Sequence, residues 1–149
     1  MLRRGAPGVA LSILSLLAAV PALAGDLLPP PSECQQAPVY LCLDGGRFQV
    51  QASWTSGDRT GAGTAVRLTE DSGYFWFFDP SNTELVVKIL DGCAINNAYW
   101  FFAAGLTDVQ VRLQMIDTKD GSIFTPLPSP EGTPFEPIQN TTSLSTSCP

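Results

Sequence analysis

The 149-residue chain contains no histidine, and this absence excludes several classes of enzyme. It rules out a Ser-His-Asp triad, a Cys-His pair, an HExxH zinc site and the usual general base near neutral pH. The short segment 61–63 (GAG) is not followed by the Gly-Lys-Ser/Thr of a phosphate-binding loop. No nucleophile, base and orienting group can be combined, so we predict that the chain is not an enzyme.

Acidic residues are scattered rather than clustered. Each lies in or beside a predicted turn or on a polar strand face, which is where solubility alone would place it. A calcium ion bound in loops would use Asp91, Asp117 and Asp120, but the EF-hand spacing is missing. Local Asx turns account for these aspartates without a metal. We predict no cofactor, with calcium as the alternative.

Long hydrophobic runs are missing except near the N-terminus. Arg3 and Arg4 precede the apolar run Val9 to Val20, and Pro21 to Ala24 ends it with the small residues of a signal-peptidase site. The run is shorter than the roughly 20 apolar residues that span a bilayer, which disfavours the alternative of an uncleaved anchor. We predict that residues 1–24 are a cleaved signal peptide, that no transmembrane anchor remains, and that the protein is secreted, extracellular or periplasmic.

Positive charge is scarce in the predicted mature chain. Without Arg3 and Arg4, 6 of the 8 basic residues remain against 14 acidic residues, a formal net charge of −8. An acidic chain repels phosphate backbones, so nucleic acid is not an expected partner.

Four cysteines remain in the mature chain: Cys34, Cys42, Cys93 and Cys148. An even number in an oxidising compartment predicts two disulfides, and three pairings are open. Zinc ligation is disfavoured, because the chain has neither a C-x-x-C pair nor a histidine.

Alternation of apolar and polar residues recurs with a period of two. It runs over 47–54, 85–89 and 109–115, and each run predicts a strand with one buried face. Turn sequences such as 44–46 (DGG) and 119–121 (KDG) separate the runs. The pattern is typical of an antiparallel sandwich or barrel, and we predict an all-β, disulfide-stapled antiparallel β-sandwich.

Proline-rich segments flank this pattern. Residues 25–38 form a lead-in that is too stiff and too poor in N–H donors for a helix or a central strand. Residues 126–138 are expected to run as an extended covering strap. We predict that residues 39–149 form a single domain that includes this strap.

The chain also repeats itself at an offset of 24 residues. The aromatic segment 75–78 (FWFF) matches 99–102 (YWFF), and the alternating segment 83–89 matches 107–113. Each unit is an aromatic strand, a tight turn and an alternating strand. We therefore expect a pair of stacked or adjacent hairpins at the centre of the fold.

Three stretches, 41–54, 73–93 and 99–121, resemble a β-rich module that recurs in secreted bacterial proteins, with the words FWFF-x-P and VK-x-LDG. The resemblance covers the chain from about Cys34 onward and implies a secreted β-domain without an assigned activity. Members with a cysteine after the DG turn also end in Cys-Pro, which implies that Cys93 pairs with Cys148. We predict this pair and Cys34–Cys42, which closes a short loop. The alternative is Cys42–Cys93 with Cys34–Cys148.

The order Cys42, Trp54, Cys93 matches the Cys-Trp-Cys order of an immunoglobulin domain. However, Cys93 follows a DG turn and has no tyrosine two residues before it. The architecture is expected to be immunoglobulin-like, but the chain is not predicted to be a true immunoglobulin.

Both faces of the aromatic strands carry large rings. Alternation places Phe75, Phe77 and Phe101 on one face. It places the following residues on the other face: Tyr74, Trp76, Phe78, Trp100 and Phe102. Only one face of each sheet reaches the core of a sandwich, so the second face must be covered by the strap, covered by a partner, or open.

Exposed tryptophan and tyrosine rings stack well on sugars and other flat apolar ligands. We therefore take Tyr74, Trp76 and Trp100 as the candidate ligand-binding residues. The predicted function is a secreted, non-catalytic binding module for a carbohydrate or another exported or cell-surface protein. The alternative is a purely structural accessory domain whose aromatic residues are all internal.

Overall fold

A computed structural model describes residues 33–144 and residue 148. The predicted signal peptide (1–24) and residues 25–32 of the lead-in lie outside the described residues. The described part forms these elements: β1 (Leu41–Leu43), β2 (Phe48–Ser56), β3 (Arg59–Ala62), β4 (Thr64–Arg67), β5 (Ser72–Trp76), β6 (Leu85–Asp91), α1 (Cys93–Asn96), β7 (Tyr99–Gly105), β8 (Gln110–Asp117), β9 (Ile123–Phe124) and β10 (Ile138–Leu144). Within this part, no helix is long and apolar enough to cross a membrane.

Two five-stranded antiparallel sheets pack together, which confirms the predicted β-sandwich. The first sheet has the order β1-β2-β8-β9, and β3 also pairs with β2. The second sheet has the order β10-β7-β6-β5-β4. In its centre, Val87 of β6 lies opposite Gly73 on one side and Ala103 on the other.

The core lies between the two sheets and includes the residues that period-2 alternation predicted. It also contains residues that alternation did not predict, among them Leu41, Leu43, Tyr99, Phe135 and Leu144. From the first sheet, Phe48 and Val50 are fully buried, and Trp54 is 7% exposed. The buried side chains of the second sheet include Phe75, Leu85, Val87, Ile89 and Phe101. Each large apolar side chain contributes roughly 1.5–3 kcal/mol when it leaves water, so this layer is the main stabilising term.

The predicted turn at 44–46 joins β1 to β2. Its three residues all have positive φ, at 52° for Asp44, 64° for Gly45 and 92° for Gly46. Glycine adopts this left-handed region without the steric cost that other residues meet. The N–H of Cys34 donates to the carbonyl of Gly46 (2.7 Å), so the end of the lead-in packs against the turn.

The two disulfides are Cys34–Cys42 and Cys93–Cys148, the predicted pairing. The first joins the lead-in to β1 of the first sheet. The second joins α1, which follows β6, to the chain beyond β10, and both of these strands belong to the second sheet. Neither disulfide links one sheet to the other, unlike the inter-sheet disulfide of an immunoglobulin domain.

The expectation of two hairpins from the internal repeat is wrong for the second unit. The strands β5 and β6 of the first unit form a hairpin in the second sheet. By contrast, β7 stays in the second sheet while β8 pairs with β2 in the first. The connections also differ: Pro80 lies in the turn that follows the first aromatic segment and cannot donate to a strand ladder, whereas Ala104 at the matching position continues β7.

The proline-rich strap covers an edge of the sandwich. Ser129 N–H donates to the carbonyl of Val111 in β8 (3.0 Å), and Phe135 N–H donates to the carbonyl of Thr107 (3.1 Å). The Phe135 ring is buried against Gly105, where a Cβ would lie 2.5 Å from that of Phe135. The strap therefore extends along β8 and the β7–β8 turn.

Candidate binding face

The candidate residues Tyr74, Trp76 and Trp100 all lie on the side of the second sheet that points away from the core. Their neighbours in sequence, Phe75 and Phe101, are fully buried. We call this side the outer face and define it by its residues on β5, β6, β7 and β10: Ser72, Tyr74, Trp76, Val86, Lys88, Leu90, Trp100, Phe102, Ala104 and Gln139. At the β4 edge, Thr64 and Val66 lie opposite Trp76 and Tyr74. Val86, Lys88, Ala104 and Gln139 are exposed, and the others are half-buried. The three candidates are thus on one surface but not fully open to solvent.

The two tryptophans lie at opposite ends of the outer face. Trp100 is directly opposite Leu90 of β6, whereas Trp76 continues β5 two residues beyond Tyr74, which is opposite Val86. Trp76 is therefore level with residue 84, six positions along β6 from Leu90, or about 20 Å at 3.4 Å per residue. The tryptophans do not form a joint platform. With Tyr74 and Phe102, they form a diagonal across the sheet.

The indole of Trp100 packs against the helical turn that follows β6. Its Nε1–H donates to Oδ1 of Asn96 (2.9 Å), and Asn96 Nδ2 donates to the carbonyl of Thr141 in β10 (2.7 Å). A Cβ at Gly92 would lie 2.3 Å from Nε1 of Trp100, so only glycine fits beneath the ring. Trp100 thus has a structural role at this end of the sheet.

Phe78 is not on the outer face, although alternation predicted it there. Strand β5 ends at Trp76, and the Phe78 ring centroid lies 4.7 Å from that of Trp54 in the first sheet. The ring remains 45% exposed. The strand cannot continue because Asp79-Pro80 follows and forms a turn, in which Asp79 Oδ1 accepts the N–H of Ser81 (2.8 Å). The hydrogen bonds from the Ser81 hydroxyl and N–H lower the pKa of Asp79.

One cross-strand row on the outer face combines polar and aromatic groups. Ser72 lies opposite Lys88, Lys88 opposite Phe102, and Phe102 opposite Gln139. Directly opposed residues have Cβ atoms about 4.5–5.5 Å apart, so the four side chains lie next to one another across β5, β6, β7 and β10. Lys88 falls on the polar side of the alternating run 85–89 that the sequence analysis identified. Gln139 was missed because β10 has no alternating apolar pattern.

A depression of about 170 Å³ lies at the part of this row formed by Lys88, Phe102 and Gln139. Its lining includes Val86, Lys88, Phe102, Pro137 and Gln139. A hydroxyl-rich or charged ring placed here would meet an aromatic side chain, an ammonium group and an amide. These are the groups that orient a small polar ligand in a largely apolar site.

Larger depressions lie elsewhere on the described chain. One of about 330 Å³ on the outer side of the first sheet is lined by polar residues that include Gln51, Ser53 and Arg112. Another, of about 480 Å³, is enclosed by the strap (126–138). The first has no aromatic residue in its lining, and the aromatic residue of the second, Phe135, is buried. Neither offers an aromatic surface for stacking.

A charged cluster at the β1–β2 end is built around Arg47 and Asp117. Burial lowers the pKa of Arg47, but the hydrogen bonds and charge of Asp117 outweigh this effect and leave it raised. Arg47 Nη1 donates to the hydroxyl of Tyr99 (3.0 Å), and its guanidinium carbon lies 4.6 Å from the centroid of that ring. Burial, followed by the charge of Asp44, raises the pKa of Tyr99. The cluster links the start of β2 to β7 and β8, and Asp44 and Arg47 also line a depression of about 430 Å³.

Two acidic residues are buried, which corrects the expectation that every carboxylate lies at the surface. Asp117 has no exposed area and Glu84 is 4% exposed. Glu84 accepts a hydrogen bond from the side chain of Asn82. Sequence spacing gave no signal for the partner of Asp117, because Arg47 and Asp117 are 70 residues apart.

The aspartates considered for calcium have other partners. Asp117 binds Arg47, Oδ1 of Asp120 accepts the N–H of Ser122 (2.8 Å), and Oδ1 of Asp91 accepts the N–H of Cys93 (2.8 Å). The last two are the local turns expected from sequence. Among the described residues, no group of three or more His, Cys, Asp or Glu side chains is arranged to hold a metal ion.

Comparison of the chain with known protein families, with curated proteins and with solved structures gave no match.

Proposed function

We propose that this protein is an exported, non-catalytic binding module that holds a carbohydrate chain on the outer face of its second sheet. The observation that carries the proposal is the diagonal of partly exposed rings, Trp76, Tyr74, Phe102 and Trp100, on the surface opposite the core. These rings offer apolar surface and, for tyrosine and tryptophan, a polar edge. The two disulfides are compatible with the oxidising compartment that export implies.

A carbohydrate suits this face better than a protein does. The centre of a protein–protein interface is typically depleted of lysine, and its strongest contributors cluster there. On the outer face, Lys88 is central, and the tryptophans are at the two ends, about 20 Å apart. A linear polysaccharide can contact rings spaced along its length and hydrogen-bond the polar groups between them. The resemblance to modules of secreted bacterial proteins is consistent with this role but remains a prediction.

Affinity electrophoresis of the mature chain (25–149) in gels that contain neutral or acidic polysaccharides tests the proposal. Trp76→Ala is expected to weaken binding about tenfold, the effect of one well-placed aromatic contact. Gln110→Ala, on the outward side of β8 in the first sheet, is the control and should leave binding unchanged. If no polysaccharide retards the wild-type chain, carbohydrate binding is wrong and the structural accessory domain is the better description.

A further inference from the structure

Lys88 is the sole charged residue among the ten that define the outer face. Its side chain is exposed, and its direct cross-strand neighbours are the uncharged Ser72 and Phe102. Among the described residues, no salt bridge involves Lys88. By contrast, Arg67 at the end of β4 forms a salt bridge with Glu70 in the turn before β5. The ammonium group therefore stands at the middle of an otherwise uncharged aromatic surface.

The rest of the molecule makes this placement unusual. The mature chain has 14 acidic and 6 basic residues, so most of its charged side chains are carboxylates. The outer face, with one exposed lysine and no exposed carboxylate, has the opposite charge balance.

The acidic positions nearest to Lys88 along this part of the chain are Asp91 at the end of β6, three residues or about 10 Å away, and Glu84 just before β6, four residues or about 13 Å away, whose side chain is buried. At physiological salt, charges separated by more than about 8 Å are largely screened. The exposed Asp71 and Asp91 are each two positions from an inward-facing residue, Gly73 and Ile89, so alternation directs them away from the outer face. Lys88 is therefore the charge that the outer face presents to an anion, although the net charge is negative.

The depression beside Lys88 sets the size of the group that fits there. Its volume of about 170 Å³ is below the roughly 300 Å³ at which pockets for whole small-molecule ligands begin. The site suits one ring of a longer chain, with the other rings lying along the aromatic diagonal. The ring of Phe102 forms one wall, and the amide of Gln139 lies across from Lys88.

From the proposed carbohydrate binding, on which this step rests, we infer that the ligand is an acidic polysaccharide whose sugars carry carboxylates. One such sugar occupies the depression. Its carboxylate binds Nζ of Lys88, its apolar ring face packs on Phe102, and its hydroxyls exchange hydrogen bonds with Gln139. A hydrogen-bonded charge pair adds discrimination against neutral sugars that stacking on the aromatic rings does not supply.

The test compares acidic polysaccharides with their neutralised forms. Polygalacturonate, alginate and hyaluronan are each offered beside the methyl-esterified form of the same polymer, and affinity for the mature chain is measured by calorimetry. We expect at least one acidic form to bind and its ester to bind about tenfold more weakly, the effect of one charged hydrogen bond. Lys88→Ala should abolish this preference.

Arg112→Ala is the matched control, because it removes one exposed cation from the outward side of the first sheet. It should retain the preference for the acidic form. If acid and ester bind equally, or if Lys88→Ala and Arg112→Ala behave alike, the inference is overturned while carbohydrate binding stands. Binding only to neutral polymers in the electrophoresis panel has the same meaning. If neither acidic nor neutral polymers bind, both the inference and the proposed function fail.

Discussion

The guanidinium of Arg47 forms a bidentate salt bridge with the buried carboxylate of Asp117. Nη2 lies 2.9 Å from Oδ2, and Nε lies 3.2 Å from Oδ1. The Asp117 side chain has no exposed area, and that of Arg47 is 16% exposed. The pair fixes the start of β2 against the end of β8, where Phe48 and Asp117 are in register. Oδ1 of Asp117 also accepts the N–H of Lys119 (3.0 Å), so the carboxylate shapes the turn that follows.

Arg47→Ala is expected to lower the free energy of unfolding by about 3–5 kcal/mol, because it leaves a buried carboxylate without its partner. Urea denaturation measures the change. Arg112→Ala removes an exposed arginine from the neighbouring strand and should change stability by less than about 0.5 kcal/mol. Equal losses in the two variants would contradict a stabilising role of the pair.

The raised pKa of Tyr99 predicts a loss of stability in alkaline solution. Above pH about 10 the unfolded chain releases the phenolic proton, whereas the folded protein retains it up to the raised pKa. The folded state then binds more protons than the unfolded state, so its stability falls as pH rises through this window and is unaffected below it. Tyr99→Phe should flatten that part of the curve of unfolding free energy against pH. A slope identical to that of the wild type would show that another group is responsible.

The two sides of the aromatic strands should respond differently to truncation. Phe77 is 7% exposed in the core, and Phe77→Ala is expected to cost about 3–5 kcal/mol by leaving a cavity. Trp76→Ala should cost clearly less, because its half-buried ring lies on the outer face. Trp100→Ala should lie between them, since its hydrogen bond to Asn96 is also lost. Thermal melts rank the three variants. A Trp76→Ala protein that melts as low as Phe77→Ala would identify Trp76 as part of the core.

The two disulfides should stabilise the protein unequally. Cys93 and Cys148 are 55 residues apart, and Cys34 and Cys42 are 8 apart. By chain entropy, replacing Cys93 and Cys148 with serines should lower the free energy of unfolding by about 4 kcal/mol. Replacing Cys34 and Cys42 should lower it by about 2–3 kcal/mol. Guanidinium unfolding of the two double variants measures the difference. Non-reduced peptide mapping checks the pairing, and a Cys42–Cys93 peptide would contradict it.

Local sequence was sufficient for the long alternating strands and for which side of each faces the core. Alternation identified β2, β6 and β8 and the residues that each strand buries, such as Val50 and Leu113. This works because a strand turns successive side chains to opposite sides, so burial of one side is recorded in the order of residues. The turn at 44–46 was equally readable, because positive φ selects glycine.

Tertiary pairing decided what local sequence left open. The repeat made Trp76 and Trp100 equivalent, yet β5 and β7 flank β6 and place them at opposite ends of the outer face. The crossing of β8 into the first sheet and the pair Arg47–Asp117 are likewise contacts between distant segments. Alternation specifies which way a side chain points, but register and strand order specify what it meets. They are set by the packing of both sheets together, so the row of Lys88, Phe102 and Gln139 emerged only from the folded chain.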